Sequence, residues 1–365
     1  MPPFVTRLRD RLATWWHRPG RTRVTLANFA VVVVATTIAG VSALLIEDCL
    51  PKPGDSFQFI PTRWALLVVL LGLLGLALMW RNHTQHTSGT LYYTHALAEG
   101  MTDLRRAALT EAAENHMAVR TVSRWIDLDD RTTATGIIDI PDTCTDIGAT
   151  IEELINNDNP DTGYTIAPNL LWPIAFAVGT YLPPAQATQL LELPSGHNPS
   201  TSFPLGAAAD STTVTHTTID LPTTTEPGRV GVWLAFTNAA QYFTVERLAE
   251  FGVSTAHTLT GPTGAPTATT PAAALAARQL AALPGAIAEH LDQIKKTAIA
   301  NNTELVIVAM VPKTVALAIG WELARRELRF FAGTHLIHYD TTTRTYTPMR
   351  VHPSQPTTPP AASNR

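Results

Sequence analysis

Two long apolar segments dominate the hydrophobic pattern of the first 80 residues. Thr25–Ile46 contains 22 residues without a charge, and as a helix it would span roughly 33 Å, enough to cross a bilayer. Trp64–Trp80 is shorter, at roughly 26 Å, but its terminal tryptophans are typical of the two membrane interfaces. The second segment alone could be a buried core helix, whereas the first is too long and too uniform for that. The pattern therefore predicts two transmembrane helices within residues 25–80.

The charges around these two segments predict their orientation. Six arginines lie within residues 1–24, whereas the loop region 47–63 carries three acidic and two basic residues. The positive-inside rule therefore predicts a cytosolic amino terminus, an external loop and a cytosolic remainder after Arg81. The apolar region of the first segment is too long for a cleaved signal peptide, so we expect both helices to remain. Cys49 and Cys144 would then lie on opposite sides of the membrane, and no disulfide between them is expected.

Beyond the second segment, short apolar runs alternate with helical patterns. This alternation is typical of βαβ units and predicts an α/β domain with parallel strands. Residues 91–128 have apolar side chains at spacings of three and four, which predicts a leading helix, and 135–140 is the next predicted strand. The expected segments are a basic cytosolic stretch at 1–24, two transmembrane helices with a short external loop at 25–80, a linker at 81–90, a first Rossmann-like half with its leading helix at 91–205, a connector at 206–229, a second Rossmann-like half at 230–352 and a disordered tail at 353–365.

Two apolar strings resemble each other at a distance of 141 residues. YTIAPNLLWPIAFAVGTYL and LVIVAMVPKTVALAIGWEL align with five identities. Each string is followed by a predicted strand and then by an aromatic-proline segment. The matching order of elements favours an internal duplication over chance, and it predicts two halves that pack as a pseudo-dimer. The identical pairs are Ile166 with Ile307, Ala175 with Ala316, Ala177 with Ala318, Gly179 with Gly320 and Leu182 with Leu323.

Composition and motifs argue against several classes of function. The net charge of −4 argues against a general binder of nucleic acid, so no duplex DNA partner is expected. The sequence contains no nucleophile elbow, no phosphate-loop lysine motif, no HExxH and no dinucleotide-binding glycine motif. His335 and His338 lie three apart on a predicted strand and would face opposite ways, which does not favour a shared metal. We therefore expect no catalytic residues, no metal site and no cofactor.

The joints between strands and helices are the candidate binding positions. In an open parallel sheet, ligands bind beyond the carboxyl ends of the strands, where helix amino termini favour anions. Lys313 opposes the dipole of the helix that it begins, which indicates a negative partner, although a solvated surface lysine is equally consistent. Thr237 and Asn238 could bind a phosphate or base, or could cap a helix, and Trp172 could stack on a base or pack in the core. The candidate ligand-binding residues are Asp142, Thr143, Asn169, Trp172, Thr237, Asn238, Pro312, Lys313, Thr314 and Tyr339.

The carboxyl-terminal part of the chain resembles a known family. The features that carry the resemblance are a strand ending near Pro312, a small-residue helix with Ala316–Gly320, a strand ending in Tyr339-Asp340 and a closing strand with Tyr346 and Pro348. In this order they resemble the SAVED domain (SMODS-associated and fused to various effector domains). The resemblance covers about residues 230–351, and a weaker one covers about residues 90–205. In the first half TYLPPAQ interrupts the helix sooner than WELARRE does in the second, which departs from the pattern.

What the resemblance implies is a receptor for cyclic oligonucleotides made by a CD-NTase, in bacterial anti-phage defence of the CBASS type. SAVED domains resemble two fused CRISPR-associated Rossmann (CARF-like) halves, in agreement with the internal repeat. The implied ligand is a cyclic tri- or tetranucleotide in preference to a dinucleotide. Members with two transmembrane helices look like effectors that form homo-oligomers on activation and disrupt the lipid bilayer of the bacterial inner membrane.

Two other functions stay open. One is a membrane-tethered α/β enzyme that processes a nucleotide, for example by cleaving the messenger. The other is a non-catalytic scaffold that anchors a partner to the membrane. Since no nuclease, TIR or protease module is visible, the membrane segment is the only candidate effector element.

Overall fold

The computed structural model describes residues 21–49, 61–86, 89–98, 101–115, 117–158, 163–184, 188–194, 199–222, 228–267, 269–270, 272, 275–326, 329–340 and 345–360. The chain divides into two compact units. The first contains two apolar helices, and the second contains most of two β-sheets with the helices that cover them. Most of the predicted basic stretch at 1–24 and of the predicted external loop lies outside the described residues.

The two apolar helices are α1 (Arg21–Cys49) and α2 (Pro61–His86). Within them, Leu26–Glu47 and Pro61–Arg81 are long and apolar enough to cross a membrane. The helices contact each other through a small apolar cluster of Ile38, Val41, Leu45, Leu67 and Leu70. Many of their other large apolar side chains are exposed, which suits a lipid environment better than water. The structure thus contains two candidate membrane-spanning helices where the sequence predicts them.

Five strands form the first sheet: β1 (Thr90–Leu97), β2 (Ala118–Trp125), β4 (Tyr164–Asn169), β5 (Thr188–Glu192) and β6 (Thr201–Pro204). Their order is β2-β1-β4-β5-β6. β4 and β5 are parallel, whereas β5 and β6 pair antiparallel. The helices of this part of the chain are α3 (Arg105–Glu114), α4 (Pro141–Asn156) and α5 (Trp172–Gly179).

Seven strands form the second sheet: β3 (Ile138–Asp139), β7 (Thr215–Asp220), β8 (Arg229–Ala235), β9 (Val253–Thr260), β10 (Leu305–Met310), β11 (Thr334–Asp340) and β12 (Thr345–Arg350). Their order is β3-β12-β11-β10-β8-β9-β7, and β9, β8, β10 and β11 run parallel. Among the described residues, this part of the chain also contains the α-helices α6 (Ala277–Ala300) and α7 (Lys313–Ala324).

The central strand β10 is covered on both faces. All six of its residues are buried, as expected for a parallel strand between two layers. Alternate side chains, such as Ile307, join the core that includes residues of α6 and α7. The others, such as Val308, join a core beneath the 3-10 helices Asn238–Tyr242 and Val245–Phe251. The unbroken apolar run in the sequence therefore corresponds to a strand that faces two cores.

The two sheets share one strand order. The series β2-β1-β4-β5-β6 corresponds to β9-β8-β10-β11-β12, and β3 and β7 are added at the two ends of the second sheet. In each series a parallel pair is followed by an antiparallel strand. Helix α5 follows β4 as α7 follows β10. The expectation of two Rossmann-like α/β halves is confirmed.

Three local expectations are wrong. Residues 91–128 are not one helix but contain β1, α3 and β2, because the apolar residues of β1 are buried on both faces of a sheet and do not form one helical stripe. The strand expected at 135–140 is reduced to β3 and pairs with β12, so it belongs to the second sheet and not to the first. The connector expected at 206–229 contains β7, an exposed threonine-rich edge strand paired with β9, as suits β-branched side chains.

The expected disorder of the tail 353–365 is wrong for its described part, 353–360. Gln355 is buried, and its Oε1 accepts hydrogen bonds from the backbone N atoms of Val351 at 2.7 Å and His352 at 2.9 Å. Its Nε2 donates to the carbonyl of Thr334 at 3.1 Å. One glutamine thus fixes this segment to the second sheet, which its proline- and threonine-rich composition does not indicate. Residues 361–365 lie outside the described residues.

Helices α5 and α7 cross where neither carries a side chain. A Cβ atom on Gly179 would overlap the carbonyl oxygen of Leu317, and one on Gly320 would overlap that of Phe176. In both cases the distance from the added Cβ atom to the oxygen would be well below 3.0 Å, and real Cβ atoms essentially never approach another atom that closely. The two glycines are related by the 141-residue offset, and so are Phe176 and Leu317. The two halves therefore meet backbone to backbone in a pseudo-symmetric contact.

Gly320→Ala is expected to destabilise the protein, because the added methyl group would collide with the backbone of α5. Overpacking of this kind costs about 1–3 kcal/mol, which lowers the Tm by about 2–10 °C. Thermal unfolding of the purified protein, followed by tryptophan fluorescence, measures the change. Gly261→Ala is the matched control, since a Cβ atom there meets nothing within 4 Å in the described part of the chain. If the two variants had the same Tm, the close helix contact would be contradicted.

Candidate functional site

Two strands of the first sheet end against the start of α7. Asn169 is the last residue of β4, and Glu192 is the last residue of β5. Pro312 holds the cap position before α7 with an extended backbone. The Nζ atom of Lys313 donates a hydrogen bond to Oδ1 of Asn169. Thr314 donates to Oε2 of Glu192 from its hydroxyl and from its backbone N, the latter at 3.2 Å. The structure therefore brings four of the predicted residues, Asn169, Pro312, Lys313 and Thr314, into one place.

Asn169 is fully buried, and its amide has partners on both polar atoms. Its Nδ2 donates to the hydroxyl of Tyr93 at 3.1 Å and to the carbonyl of Thr102 at 3.0 Å. The Tyr93 hydroxyl in turn donates to Oδ1 of Asp103 at 2.8 Å. A buried polar network with complete partners stabilises one arrangement, because the loss of any bond leaves a polar atom unsatisfied in the core.

Burial changes the charges at this joint. It lowers the pKa of the Lys313 ammonium, while the nearby Glu192 carboxylate opposes the shift. It raises the pKa of Glu192, against the hydrogen bonds from Thr314 and the charge of Lys313. It also raises the pKa of Tyr93 to about 12. The positive end of the α7 dipole is thus met by a carboxyl group of the protein itself, where the sequence predicts an external anion.

Thr237 and Asn238 lie at the neighbouring strand end. The backbone N of Thr237 donates to the carbonyl of Met310, the last residue of β10, at 2.9 Å. Asn238 begins the 3-10 helix after β8, and its Oδ1 accepts from the backbone N of Ala272 at 2.6 Å. Thr237 is at the cap position of that helix, yet its side chain makes no capping hydrogen bond. Both residues therefore lie at the predicted edge, and the capping interpretation fails for the Thr237 side chain.

Three tyrosines form a stack at the same end of the second sheet. Tyr339, near the end of β11, stacks on Tyr346 of β12 with ring centroids 4.7 Å apart and planes 29° apart. The ring of Tyr339 is also nearly parallel to that of Tyr242, with centroids 6.3 Å apart and planes 22° apart. The Tyr346 hydroxyl donates to the carbonyl of Tyr242 at 2.8 Å, and the Arg247 guanidinium lies 4.4 Å from the Tyr346 ring centroid. Tyr242 is 58% exposed, so this tyrosine stack offers an aromatic ring to solvent.

The sequence alone does not identify several residues of this region. Glu192 and Thr314 are 122 residues apart in the chain, and no pattern in the sequence pairs them. Tyr93 falls within the predicted leading helix, whereas the structure has it on β1. Tyr242 lies four residues after Asn238, and that proximity was the one signal that could have identified it.

Asp142 and Thr143 do not join the group. They lie in the first turn of α4, directly after β3, which runs parallel to β12 with Asp139 opposite Arg350. Because β12 is antiparallel to β11, that end of β12 lies at the amino edge of the parallel strands. The expected grouping of these two residues with Lys313 is therefore wrong, and the cause is the assignment of the strand at 135–140 to the first half.

Trp172 occupies the position in α5 that corresponds to Lys313 in α7. Its ring is partly buried against the core and meets Phe176 edge to face, with centroids 6.3 Å apart and planes 81° apart. Its Nε1 is buried and has no acceptor among the described residues. The structure thus favours the packing role of Trp172 over a stacking role.

The two strand histidines lie in different environments. Nε2 of His335 lies 3.1 Å from Oε2 of Glu304, whereas burial lowers the pKa of His338 to about 4. In the part of the chain that the structure describes, no group of three or more histidine, cysteine, aspartate or glutamate side chains is arranged to hold a metal ion.

The chain matches the profile of one protein family, described as SAVED: SMODS-associated and fused to various effectors sensor domain, over residues 148–349. No curated protein matches it. It is similar to the Acinetobacter baumannii Cap4 SAVED/CARF-domain containing receptor with the cyclic trinucleotide 2'3'3'-cAAA, at 12% identity and a TM-score of 0.38, over 77% of this chain and 55% of that chain. A second structure of that receptor matches at 12% identity and a TM-score of 0.38, over 77% of this chain and 53% of that chain. The structure of that receptor with the cyclic trinucleotide 3'3'3'-cAAA matches at 10% identity and a TM-score of 0.35, over 77% of this chain and 55% of that chain. The chain thus spans about half the length of these receptors.

Lys313→Ala is expected to destabilise the ligand-free protein, because it leaves Oδ1 of the buried Asn169 without its donor. An unsatisfied buried acceptor costs about 1–3 kcal/mol, so the Tm should fall by about 2–10 °C. Arg106→Ala is the control, since Arg106 is exposed and its loss should change stability by no more than about 0.5 kcal/mol. Thermal unfolding at neutral pH measures both variants. A Lys313→Ala protein as stable as the control would show that the bond to Asn169 contributes nothing.

Proposed function

Since this chain belongs to the SAVED family of sensor domains, we propose that it is a membrane-anchored receptor for a cyclic oligonucleotide second messenger in bacterial anti-phage defence of the CBASS type. The family match over residues 148–349 carries the proposal, because it includes strands of both halves. The two candidate membrane-spanning helices support the anchoring. In the proposed topology, these helices cross the bacterial inner membrane, and the amino terminus and the sensor domain lie in the cytoplasm.

The proposed messenger site is the carboxyl edge of β8, β10 and β11. Parallel sheets bind ligands at this edge, and the strand ends β4 and β5 of the first half contact the same place. Lys313 is a half-buried cation there, and its hydrogen bond to Asn169 can be exchanged for one to a phosphate. Thr237 and Asn238, on the adjacent strand end, supply hydroxyl and amide groups for the sugar-phosphate backbone or a base.

The tyrosine stack is the proposed platform for a base. Stacking of a nucleobase on an aromatic side chain contributes about 1–3 kcal/mol per base and tolerates any base. Tyr242 presents an exposed ring that is already nearly parallel to Tyr339. The hydrogen bond from Tyr346 to its backbone also holds Tyr242 in place. Little order is therefore lost when a base stacks on it.

A titration of the full-length protein in lipid nanodiscs with cyclic di-, tri- and tetranucleotides tests this function. We expect saturable binding of a tri- or tetranucleotide, and much weaker binding of the linear oligonucleotide with the same bases. Ligand recovered after long incubation should still be cyclic, since a receptor binds the messenger without cleaving it. If no ring binds, the receptor function is rejected. Linear products that increase with the amount of protein would favour a messenger-cleaving enzyme.

Tyr242→Ala should weaken binding of the messenger about 5- to 150-fold, which corresponds to the loss of about 1–3 kcal/mol of stacking. Tyr242→Phe keeps the ring and should bind like the unchanged protein. Trp125→Ala is a matched control, since Trp125 is an aromatic residue with 69% exposure on β2. The same titration in nanodiscs measures all three. If Tyr242→Ala bound as tightly as the control, the tyrosine stack would not belong to the site, although the receptor function would stand.

The proposed output is oligomerisation followed by disruption of the inner membrane. Two helices cannot enclose a pore, so several chains must assemble. Gly40, Gly72 and Gly75 have free space around them, since a Cβ atom on any of them meets nothing within 4 Å in the described part of the chain. Small residues on an open helix face let neighbouring helices approach closely in lipid. Assembly of the sensor domains would raise the local concentration of helix pairs and so favour that contact.

Expression with the matching messenger distinguishes sensing from output. The full-length protein should depolarise the inner membrane and arrest growth, and a shortened chain that begins at Ser88 should bind ligand without harm. Gly72→Ile should reduce depolarisation by blocking close helix approach, whereas Leu73→Ile, at the next position, should have little effect. A voltage-sensitive dye measures the membrane potential. A shortened chain as toxic as the full one, or a full-length protein that leaves the potential unchanged with ligand, would contradict the proposed output.

A further inference from the structure

A cavity of about 420 Å³ lies at the opposite end of α7 from Lys313. The end of α5, the carboxyl-terminal half of α7, the segment 329–331 and the segment around His352 form its walls. Since 329–331 precedes β11 and His352 follows β12, the cavity is at the amino edge of the parallel strands. Its volume is within the range of about 300–1,000 Å³ that is typical of pockets for small ligands. It is therefore separate from the proposed messenger site.

Aromatic rings line the inner part of this cavity. Phe176, Phe330 and Phe331 are all buried. The ring of Phe331 lies edge to face with that of Phe176, with centroids 5.7 Å apart and planes at 85°. It has the same arrangement with the ring of Phe330, with centroids 6.1 Å apart and planes at 87°. The ring of His352 is stacked on Phe331, with centroids 4.6 Å apart and planes 7° apart. Flat ring faces and edges in this arrangement favour a planar aromatic ligand, which can stack and make edge contacts at once.

Two polar groups give the cavity a preference for negative charge. Arg329 is exposed at its mouth, and among the described residues it forms no ion pair. Nδ1 of His352 accepts a hydrogen bond from the backbone N of Ser354 at 3.2 Å, and burial lowers the pKa of His352. Because Nδ1 accepts this hydrogen bond, Nε2 is the ring nitrogen that carries a proton and can donate. A guanidinium and an imidazole N–H beside an apolar cavity suit a carboxylate.

We propose that this cavity binds a small planar aromatic carboxylate of about two fused rings, and that the bound ligand stabilises the crossing of α5 and α7. Phe176 and Gly320 line the cavity and also form the backbone contact between the two halves. A ligand that packs against both residues adds apolar contact at that crossing. Because the cavity and Lys313 lie at opposite edges of the sheet, occupancy of the cavity does not require the messenger to be absent.

Isothermal titration of the full-length protein in nanodiscs with 2-naphthoate tests this proposal, with empty nanodiscs as the blank. We expect saturable binding with a Kd on the order of 10–100 µM for a ligand of this size. Saturation should also raise the Tm, as binding to the folded state requires. The neutral amide 2-naphthamide, of the same shape, should bind about tenfold more weakly, because it lacks the charge that Arg329 attracts.

Two variants locate the site. Ala324→Trp, at the mouth of the cavity, should weaken binding of both probes at least tenfold. Ala300→Trp is its matched control, since Ala300 is an exposed last residue of α6 that does not line the cavity. Arg329→Gln should weaken binding of 2-naphthoate about tenfold and leave 2-naphthamide unchanged, and it decides the question if Ala324→Trp does not fold. Absence of saturable binding, affinities unchanged in both variants, or equal affinity for the two probes would each overturn the proposal.

Discussion

The close contact of α5 and α7 at Gly179 and Gly320 determines how the two halves of the sensor domain are arranged. Each glycine lies where a Cβ atom would overlap a carbonyl oxygen of the other helix, so the helices can meet only where both lack a side chain. The contact brings the start of α7 to the carboxyl ends of β4 and β5, where the first sheet supplies Asn169 and Glu192. Because the same offset of 141 residues relates both sides of the contact, the two similar halves make a pseudo-symmetric interface within one chain.

The polar side chains at the start of α7 already have hydrogen-bond partners in the ligand-free protein. Lys313 donates to Asn169, and Thr314 donates to Glu192. A phosphate at the proposed site would replace these partners, so its binding free energy is a difference between two sets of charge-assisted bonds. Partial burial strengthens whichever set is made, because the local dielectric constant is lower than in water. Exchange of the Lys313 partner would also remove a bond between the halves, and ligand occupancy could in this way change the population of their arrangements.

The sequence predicted the second half better than the first, for a physical reason. In the second half, β8 and β10 are short, mainly apolar runs, and each ends within two residues of a polar residue or a proline. In the first half, β1 carries aromatic and aliphatic side chains that are buried on both faces, and their spacing imitates a helical stripe. Local patterns report periodicity and not which sheet a strand joins. For that reason the sequence pattern assigns β3 to the wrong half, and it therefore also misplaces Asp142 and Thr143, which follow β3.

The candidate site divides along the same line. Lys313, Thr314, Thr237 and Asn238 were identifiable because each follows a recognisable strand, and strand ends are where α/β folds bind ligands. Glu192 was not identifiable, because its partner Thr314 is 122 residues away and only the helix crossing brings the two together. Long-range contacts of this kind depend on tertiary packing, which hydrophobic periodicity does not encode.

Hydrogen–deuterium exchange of the full-length protein in nanodiscs, with and without the cyclic oligonucleotide that binds it, shows whether the messenger lies where the strand ends of both halves meet. We expect the messenger to slow exchange in residues 237–242 and 310–316 and at the end of β4, with no change in residues 141–145 at the amino edge. Protection confined to 141–145, or a bound messenger that leaves all of these segments unchanged, would contradict this expectation.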